Sequence, residues 1–201
     1  ATVPGAPTGV SAVAGNGQAT VSFTPPVSNG GSAITGYTVT SNLGHTATGG
    51  SSPITVTGLT NGVAYTFTVT ATNAAGTSAA SAASSSVTPA TVPDAPTGVS
   101  AVHGNGQATV SFTPPVSNGG SVITSYTVTS NIGGHFATGG ASPITVTGLT
   151  NGVAYTFTVV ATNAEGNSVA SSASNSVTPA TVPDAPTIGT ATRGDGEVVI
   201  T

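Results

Sequence analysis

Apolar and polar residues alternate over several short stretches of the chain, which is the pattern of strands that bury one face. Residues 18–24 place an apolar side chain at every second position, with Thr and Ser between them. The same alternation occurs at residues 37–40, 54–57 and 65–72. Thr, with its branched β-carbon, suits the outward positions of a strand, so each of these stretches is predicted to form one.

Turn-forming residues fill the gaps between these stretches. A helical period appears only weakly, in the small Ala and Ser side chains of residues 79–86. Seven or so strands in about 90 residues predict an all-β fold, a two-sheet antiparallel sandwich. The turn signals are runs of Gly, Asn and Pro at residues 15–17, 25–26, 29–31, 49–50 and 61–62.

The pattern repeats along the chain. Residues 3–44 align with 92–133 and differ at 5 of 42 positions. Residues 45–91 align with 135–181 and differ at 8 of 47, and one inserted glycine separates the two aligned blocks of the second copy. A period of 89 to 90 residues is too long for a solenoid repeat and is typical of a small domain.

A third copy starts at Val182 and stops at Thr201. We therefore predict three units, residues 1–90, 91–180 and 181–201, of which the last holds only the first strands of a module. About twenty residues cannot bury a core alone. Because the chain also begins with the sequence of the join between modules, we expect it to be a window on a longer tandem array.

The composition excludes several classes of function. One Arg and no Lys leave no cationic surface for phosphates, so we expect no nucleic-acid binding. Cys is absent, which rules out disulfides and thiolate metal sites. No apolar run approaches the ~18 residues of a membrane-spanning helix, so we expect no membrane insertion. The hydrophobic fraction of 37% is arranged periodically, which argues against disorder.

Three segments of the repeat carry a family resemblance. They are PGAPTGVSAVAGNGQATVSFTPP, ITGYTVT and TVTGLTNGVAYTFTVTATNAAGTS. They resemble the first two strands, the third strand and the most specific region of the fibronectin type III module in its bacterial form. The resemblance covers residues 3–180 and the stub beyond, and it implies tandem immunoglobulin-like antiparallel β-sandwiches.

The resemblance also implies a tyrosine corner, in which a Tyr hydroxyl bonds to backbone a few residues upstream. The spacing Leu-x-x-Gly-x-x-Tyr falls at Leu59, Gly62 and Tyr65 in the first copy. The corner of the second copy falls at Leu149, Gly152 and Tyr155.

The sequence departs from the family at one position of the core. The family's usual Trp on the second strand is Phe23 and Phe112 here, which implies a smaller core anchor.

Arg193, Gly194 and Asp195 form the triplet with which one fibronectin module binds integrins. That module carries the triplet between its last two strands. Here it aligns with residues 14–16, in the turn between the first two strands. Gly-Asp-Gly is an ordinary tight-turn sequence. A plain turn is therefore the favoured interpretation, and an adhesion site is the alternative.

Residues 75–85 contain five of the differences between the two copies. By the resemblance they form the loop between the last two strands and the last strand itself. Drift at a permissive surface is the favoured interpretation, and a binding loop is the alternative.

The histidines offer no reaction chemistry in the sequence. His45, His103 and His135 have no acidic residue nearby, whereas a metal site needs two or more converging ligands. Catalysis would need a nucleophile oriented by a base, and no Gly-x-Ser-x-Gly elbow is present. We predict no catalytic residue, no metal and no cofactor.

Near-identical modules favour a structural function, because a spacer needs length rather than distinct sites. We predict a non-catalytic repeat array of an extracellular bacterial surface protein, acting as spacer, stalk or filament subunit. The short Pro-containing join limits bending between modules. Two alternatives are a module that adheres to carbohydrate or to a cell surface, and an accessory linker of a secreted polysaccharide-degrading enzyme. Phe136, where the first copy has Thr46, is the one aromatic residue outside core positions.

The outward strand positions carry neutral Thr, where most proteins place Lys and Glu to block edge pairing. We therefore expect the chain to self-associate with neighbouring modules or chains. In particular, we expect Ile188, Val198 and Ile200 to pack against apolar groups outside residues 181–201.

Overall fold

The first unit of the computed structural model is a sandwich of two antiparallel sheets. One sheet has the strand order β1-β2-β5 and the other β4-β3-β6-β7. The strands are β1 (Thr8–Gly15), β2 (Gln18–Thr24), β3 (Ile34–Ser41), β4 (Thr46–Gly49), β5 (Ile54–Thr57), β6 (Phe67–Asn73) and β7 (Gly76–Thr77). The predicted all-β class is confirmed.

The second unit repeats the first strand for strand. Its sheets have the orders β12-β9-β8 and β11-β10-β13-β14, again antiparallel throughout. Its strands are β8 (Thr97–Gly104), β9 (Gln107–Thr113), β10 (Ser125–Ser130), β11 (Phe136–Gly139), β12 (Ile144–Thr147), β13 (Phe157–Asn163) and β14 (Gly166–Asn167).

The structure describes residues 1–183, 185–187, 189, 191–193 and 198–200. At the end of the chain, β15 (Ala191–Arg193) pairs antiparallel with β16 (Val198–Ile200), and these two strands are described by their backbone. The predicted packing of Val198 and Ile200 concerns side chains outside that description, and Ile188 lies outside the described residues. Within the described part of the chain, no helix is long and apolar enough to cross a membrane.

Each sandwich has its own core between its two sheets. Val21 of β2 faces Val39 of β3 and Val69 of β6 in one apolar cluster, and all three are fully buried. Phe23, at the position of the family's Trp, packs against Tyr37 with ring centroids 4.8 Å apart. The alternation of the sequence is thus the alternation of burial along the strands.

The last strand of each module departs from the expectation. Residues 79–86 form no helix, and beyond β7 the chain forms no regular strand. Instead it buries every third residue, and all of these are serines. We call this segment the serine ladder; its members are Ser78, Ser81 and Ser84 in the first module, and Ser168, Ser171 and Ser174 in the second.

The serine ladder pairs with β6 through side chains as well as backbone. The Ser81 N–H donates to the carbonyl of Val69, and the Ser81 hydroxyl accepts from the Val69 N–H, both at 2.9 Å. The hydroxyl in turn donates to the carbonyl of Ala82 at 2.8 Å. Because this segment advances three residues for every two of β6, its carbonyls fall out of register, and the hydroxyls supply the missing acceptors.

Candidate functional site

The predicted tyrosine corner residues lie together at one end of the first module. Tyr65 is 1% exposed, and its hydroxyl accepts a hydrogen bond from the Thr60 N–H at 3.0 Å. The Leu59 side chain is buried, and its N–H donates to the carbonyl of Gly17 at 2.9 Å. Gly62 has φ +82°, a conformation that suits glycine. In the second module the Tyr155 hydroxyl accepts from Thr150 at 3.1 Å.

The corner also fixes where the module ends. The Gly62 N–H donates to the carbonyl of Pro89 at 2.8 Å, and Tyr65 exchanges two backbone hydrogen bonds with Val87. The chain is therefore held against the module up to the residue before the join.

An asparagine at the end of β6 was not anticipated from the sequence. The Asn73 amide donates to the carbonyls of Thr2 and Asn29, both at 2.8 Å, and its oxygen accepts from the Ala75 N–H at 2.9 Å. It ties the start of the module to the loop between β2 and β3. The sequence does carry a signal for it, because this Asn falls on the buried side of the alternation, where the other positions are apolar.

The Arg-Gly-Asp triplet is described only in part. Arg193 is the last residue of β15, while Gly194 and Asp195 lie outside the described residues. Both interpretations of the triplet remain predictions.

The histidines contact aromatic rings or solvent. The His45 ring meets Tyr65 edge-on with centroids 5.5 Å apart, and His135 meets Tyr155 in the same way at 5.9 Å. His103 is exposed on β8. In the part of the chain that the structure describes, no three His, Cys, Asp or Glu residues gather as a metal site would require.

Phe136 lies on an outward-facing row of hydroxyl side chains. It is 68% exposed on β11, opposite Thr129 of β10, which in turn lies opposite Thr158 of β13. In the first module the corresponding row is Thr46, Thr40 and Thr68. The two modules therefore present the same sheet face with and without one aromatic ring.

An open cleft of about 660 Å³ lies between the two modules. Its walls carry amide, hydroxyl and aliphatic groups and no charged side chain. Val116 on one wall is fully exposed. The lining residues are Asn61, Gly62, Val63, Pro115, Val116, Ser117, Asn118 and Gly120.

These features define a class of protein: tandem antiparallel β-sandwich modules, each closed by a tyrosine corner. A family profile described as the fibronectin type III domain matches residues 5–87 and 94–178. The chain belongs to the fibronectin type III family, and the resemblance seen in the sequence is confirmed.

Three curated proteins are similar to this chain. "Chitinase A1" of Niallia circulans is 35% identical over 194 residues, 88% of this chain and 26% of that protein. "Exoglucanase B" of Cellulomonas fimi is 35% identical over 185 residues, which are 88% of this chain and 17% of that protein. "Kelch domain-containing protein SSO1033" of Saccharolobus solfataricus is 33% identical over 165 residues, which are 77% of this chain and 22% of that protein. The chain thus spans about a quarter or less of each relative.

Two solved structures are also similar. The "chicken CNTN1 FN1-FN3 domains" match with a TM-score of 0.47 and 20% identity, over 88% of this chain and 67% of that one. "Titin kinase and its flanking domains" matches with a TM-score of 0.41 and 30% identity, over 45% of this chain and 18% of that one.

Proposed function

We propose that the chain is a non-catalytic spacer of an extracellular bacterial protein, which sets the distance between the parts on either side of it. The observation that supports this most is how the two modules differ. None of the differing positions is buried in either module, so cores, corners and serine ladders are the same. Repetition of an unchanged body adds length, which is what a spacer requires.

The relatives favour one version of this proposal. Two of them are named as a chitinase and an exoglucanase, and this chain covers only a small share of each. Enzymes with those names act on polysaccharides, so a segment shared with them fits a linker in a polysaccharide-degrading enzyme. A stalk of a surface protein is the other version, and both place the chain outside the cell.

The test measures height above a surface. The full chain is joined between a surface anchor and a fluorescent reporter, and compared with a version that lacks residues 3–91 and so keeps the Val-Pro join. We expect the reporter to drop by one module length. A flexible Gly/Ser linker of the same residue number serves as control, because its ends approach each other as a random coil. An unchanged height after deletion would refute the spacer.

A second candidate function is carbohydrate binding at the outer sheet face of the second module. The exposed ring of Phe136 beside Thr129 and Thr158 is the observation that favours it. An aromatic face can stack on a sugar ring while neighbouring hydroxyls take part in hydrogen bonds.

Retention on insoluble chitin and cellulose tests this candidate. If the face binds, the full chain is retained, and Phe136→Thr, which restores the residue of the first module, releases it. The first module is a natural control because it carries Thr46 at this place. Equal retention of the full chain and Phe136→Thr, or no retention of either, would refute the candidate.

A further inference from the structure

The join between the two modules is anchored on both sides. On the first module, the Gly62 N–H holds the carbonyl of Pro89 at 2.8 Å. On the second module, the Thr91 N–H donates to the carbonyl of Gly119, and the Asn163 amide donates to the carbonyl of Thr91, both at 2.8 Å. A single residue, Ala90, lies between these anchors.

The two anchoring loops also touch each other directly. A Cβ added to Gly62 would lie 3.1 Å from the Cα of Gly120. A Cβ added to Gly120 would lie 2.8 Å from the carbonyl carbon of Asn61 and would overlap the Gly62 nitrogen. The two backbones are therefore packed with no room for a side chain between them.

Together these contacts close a small ring. A hydrogen bond joins Gly62 to Pro89, and the chain continues through Ala90 to Thr91. A second hydrogen bond joins Thr91 to the loop of residues 119–120, and the contact between Gly120 and Gly62 closes the ring. Rotation at the join is confined to the few backbone dihedrals of this ring, since each residue contributes only two.

We propose that this ring is a fixed joint. The turn of residues 61–62 is an interaction surface whose partner is the Asn-Gly-Gly loop of the following module, that is, a second copy of this repeat. Contact between the two holds successive modules in one orientation. The inference concerns orientation alone, and it stands whether or not the array works as a spacer.

The repeat supplies matched controls for both glycines. Gly31 is the counterpart of Gly120 and has nearly the same φ, +79° against +85°, but only the Cα of Ala1, 4.0 Å away, lies near its Cβ position. Gly152 is the counterpart of Gly62 with the same φ of +82°, and no described atom lies within 4 Å of its Cβ position. Alanine thus strains the backbone equally at each pair but obstructs the joint at only one member.

The distance distribution between two spin labels tests the joint in the full chain. Because the chain has no Cys, two substitutions are enough to place the labels. Ser22→Cys puts one label on the exposed face of the sheet β1-β2-β5, and Ser111→Cys puts the other on the exposed face of the equivalent sheet β12-β9-β8. The fixed joint predicts a single narrow distribution for this labelled parent. A broad distribution in the parent would overturn the proposal at once.

Alanine variants then locate the constraint. Gly120→Ala and Gly62→Ala are expected to lose the narrow peak or shift it, while Gly31→Ala and Gly152→Ala keep it. Circular dichroism and thermal unfolding of each pair check that backbone strain affects both members alike. If the joint variants keep the parent's peak, or if the controls lose it as well, the glycine contact does not set the orientation.

An insertion tests the ring without straining either module. Adding Gly-Ser after Ala90 leaves every hydrogen bond within the modules in place. It lengthens the segment between the two anchors from one residue to three. We expect loss of the narrow peak with unchanged unfolding of both modules. Retention of the peak would show that the ring does not fix the joint, and would overturn the proposal even if the alanine variants failed to fold.

Discussion

At the scale of single residues, a few polar groups inside the sandwich determine how it closes. The Tyr65 hydroxyl is the only partner offered within the described residues to the Thr60 N–H. The bond is part-buried, and an N–H that loses its acceptor where water replaces it poorly costs more than an average hydrogen bond contributes, because its desolvation is not compensated. The corner therefore stabilises the module through one atom of one side chain.

Tyr65→Phe should lower the free energy of unfolding of the first module by about 1–3 kcal/mol, the cost of leaving that N–H unpaired. In differential scanning calorimetry of the full chain, the substitution should move the transition of the first module below that of the unchanged second module, which acts as an internal reference. Tyr37→Phe is the control, since Tyr37 is also buried but its hydroxyl has no hydrogen-bond partner among the described residues. Equal effects of the two substitutions would contradict the role of the corner.

At the scale of elements, the alternation of the sequence sufficed for the strands but not for the edge beyond β7. The strand predicted at 18–24 coincides with β2 (Gln18–Thr24), because alternation there equals burial. The serine ladder has period three and carries no apolar residue. Hydrophobic periodicity therefore does not predict its edge pairing and indicates only a weak helix there. The regular spacing of Ser78, Ser81 and Ser84 was the available signal.

Ser171→Ala should destabilise the second module by about 1–3 kcal/mol, because the Val159 N–H, 2.9 Å from the hydroxyl, loses its acceptor. Ser172→Ala removes an exposed hydroxyl from the adjacent residue and should change the free energy of unfolding by less than ~0.5 kcal/mol. Chemical denaturation followed by circular dichroism measures both. If the two variants unfold alike, the ladder's hydroxyls do not support β13.

At the scale of the whole molecule, the sequence predicted separate modules but not how they meet. The join reads as a Pro-containing linker, and the groups that anchor it are distant in sequence: the Gly62 N–H, the Gly119 carbonyl and the Asn163 amide. No periodicity reports a contact between Gly62 and Gly120, since a glycine pattern looks the same for a free turn and for a packed one. The joint therefore depends on how the two modules lie in space, which the sequence pattern does not report.

The Thr-rich edges carry a separate prediction, self-association of the chain. β4 lies at the edge of its sheet, and Thr48 on it is exposed and uncharged. We expect the sedimentation coefficient to rise with concentration, and Thr48→Lys to suppress the rise by burying a charge in any edge pairing. Ser22→Lys on the central strand β2 adds the same charge away from the edge and should leave the rise unchanged. A concentration-independent coefficient for the parent chain would refute self-association.

We propose that tandem modules joined in this way act as a spacer of defined length. Small-angle X-ray scattering of arrays with increasing numbers of the repeat tests it most directly, because length and flexibility scale differently with repeat number. For a spacer with fixed joints, the maximum dimension should grow in proportion to the number of modules. Growth with an exponent of about 0.5, as for a flexible chain, would contradict it.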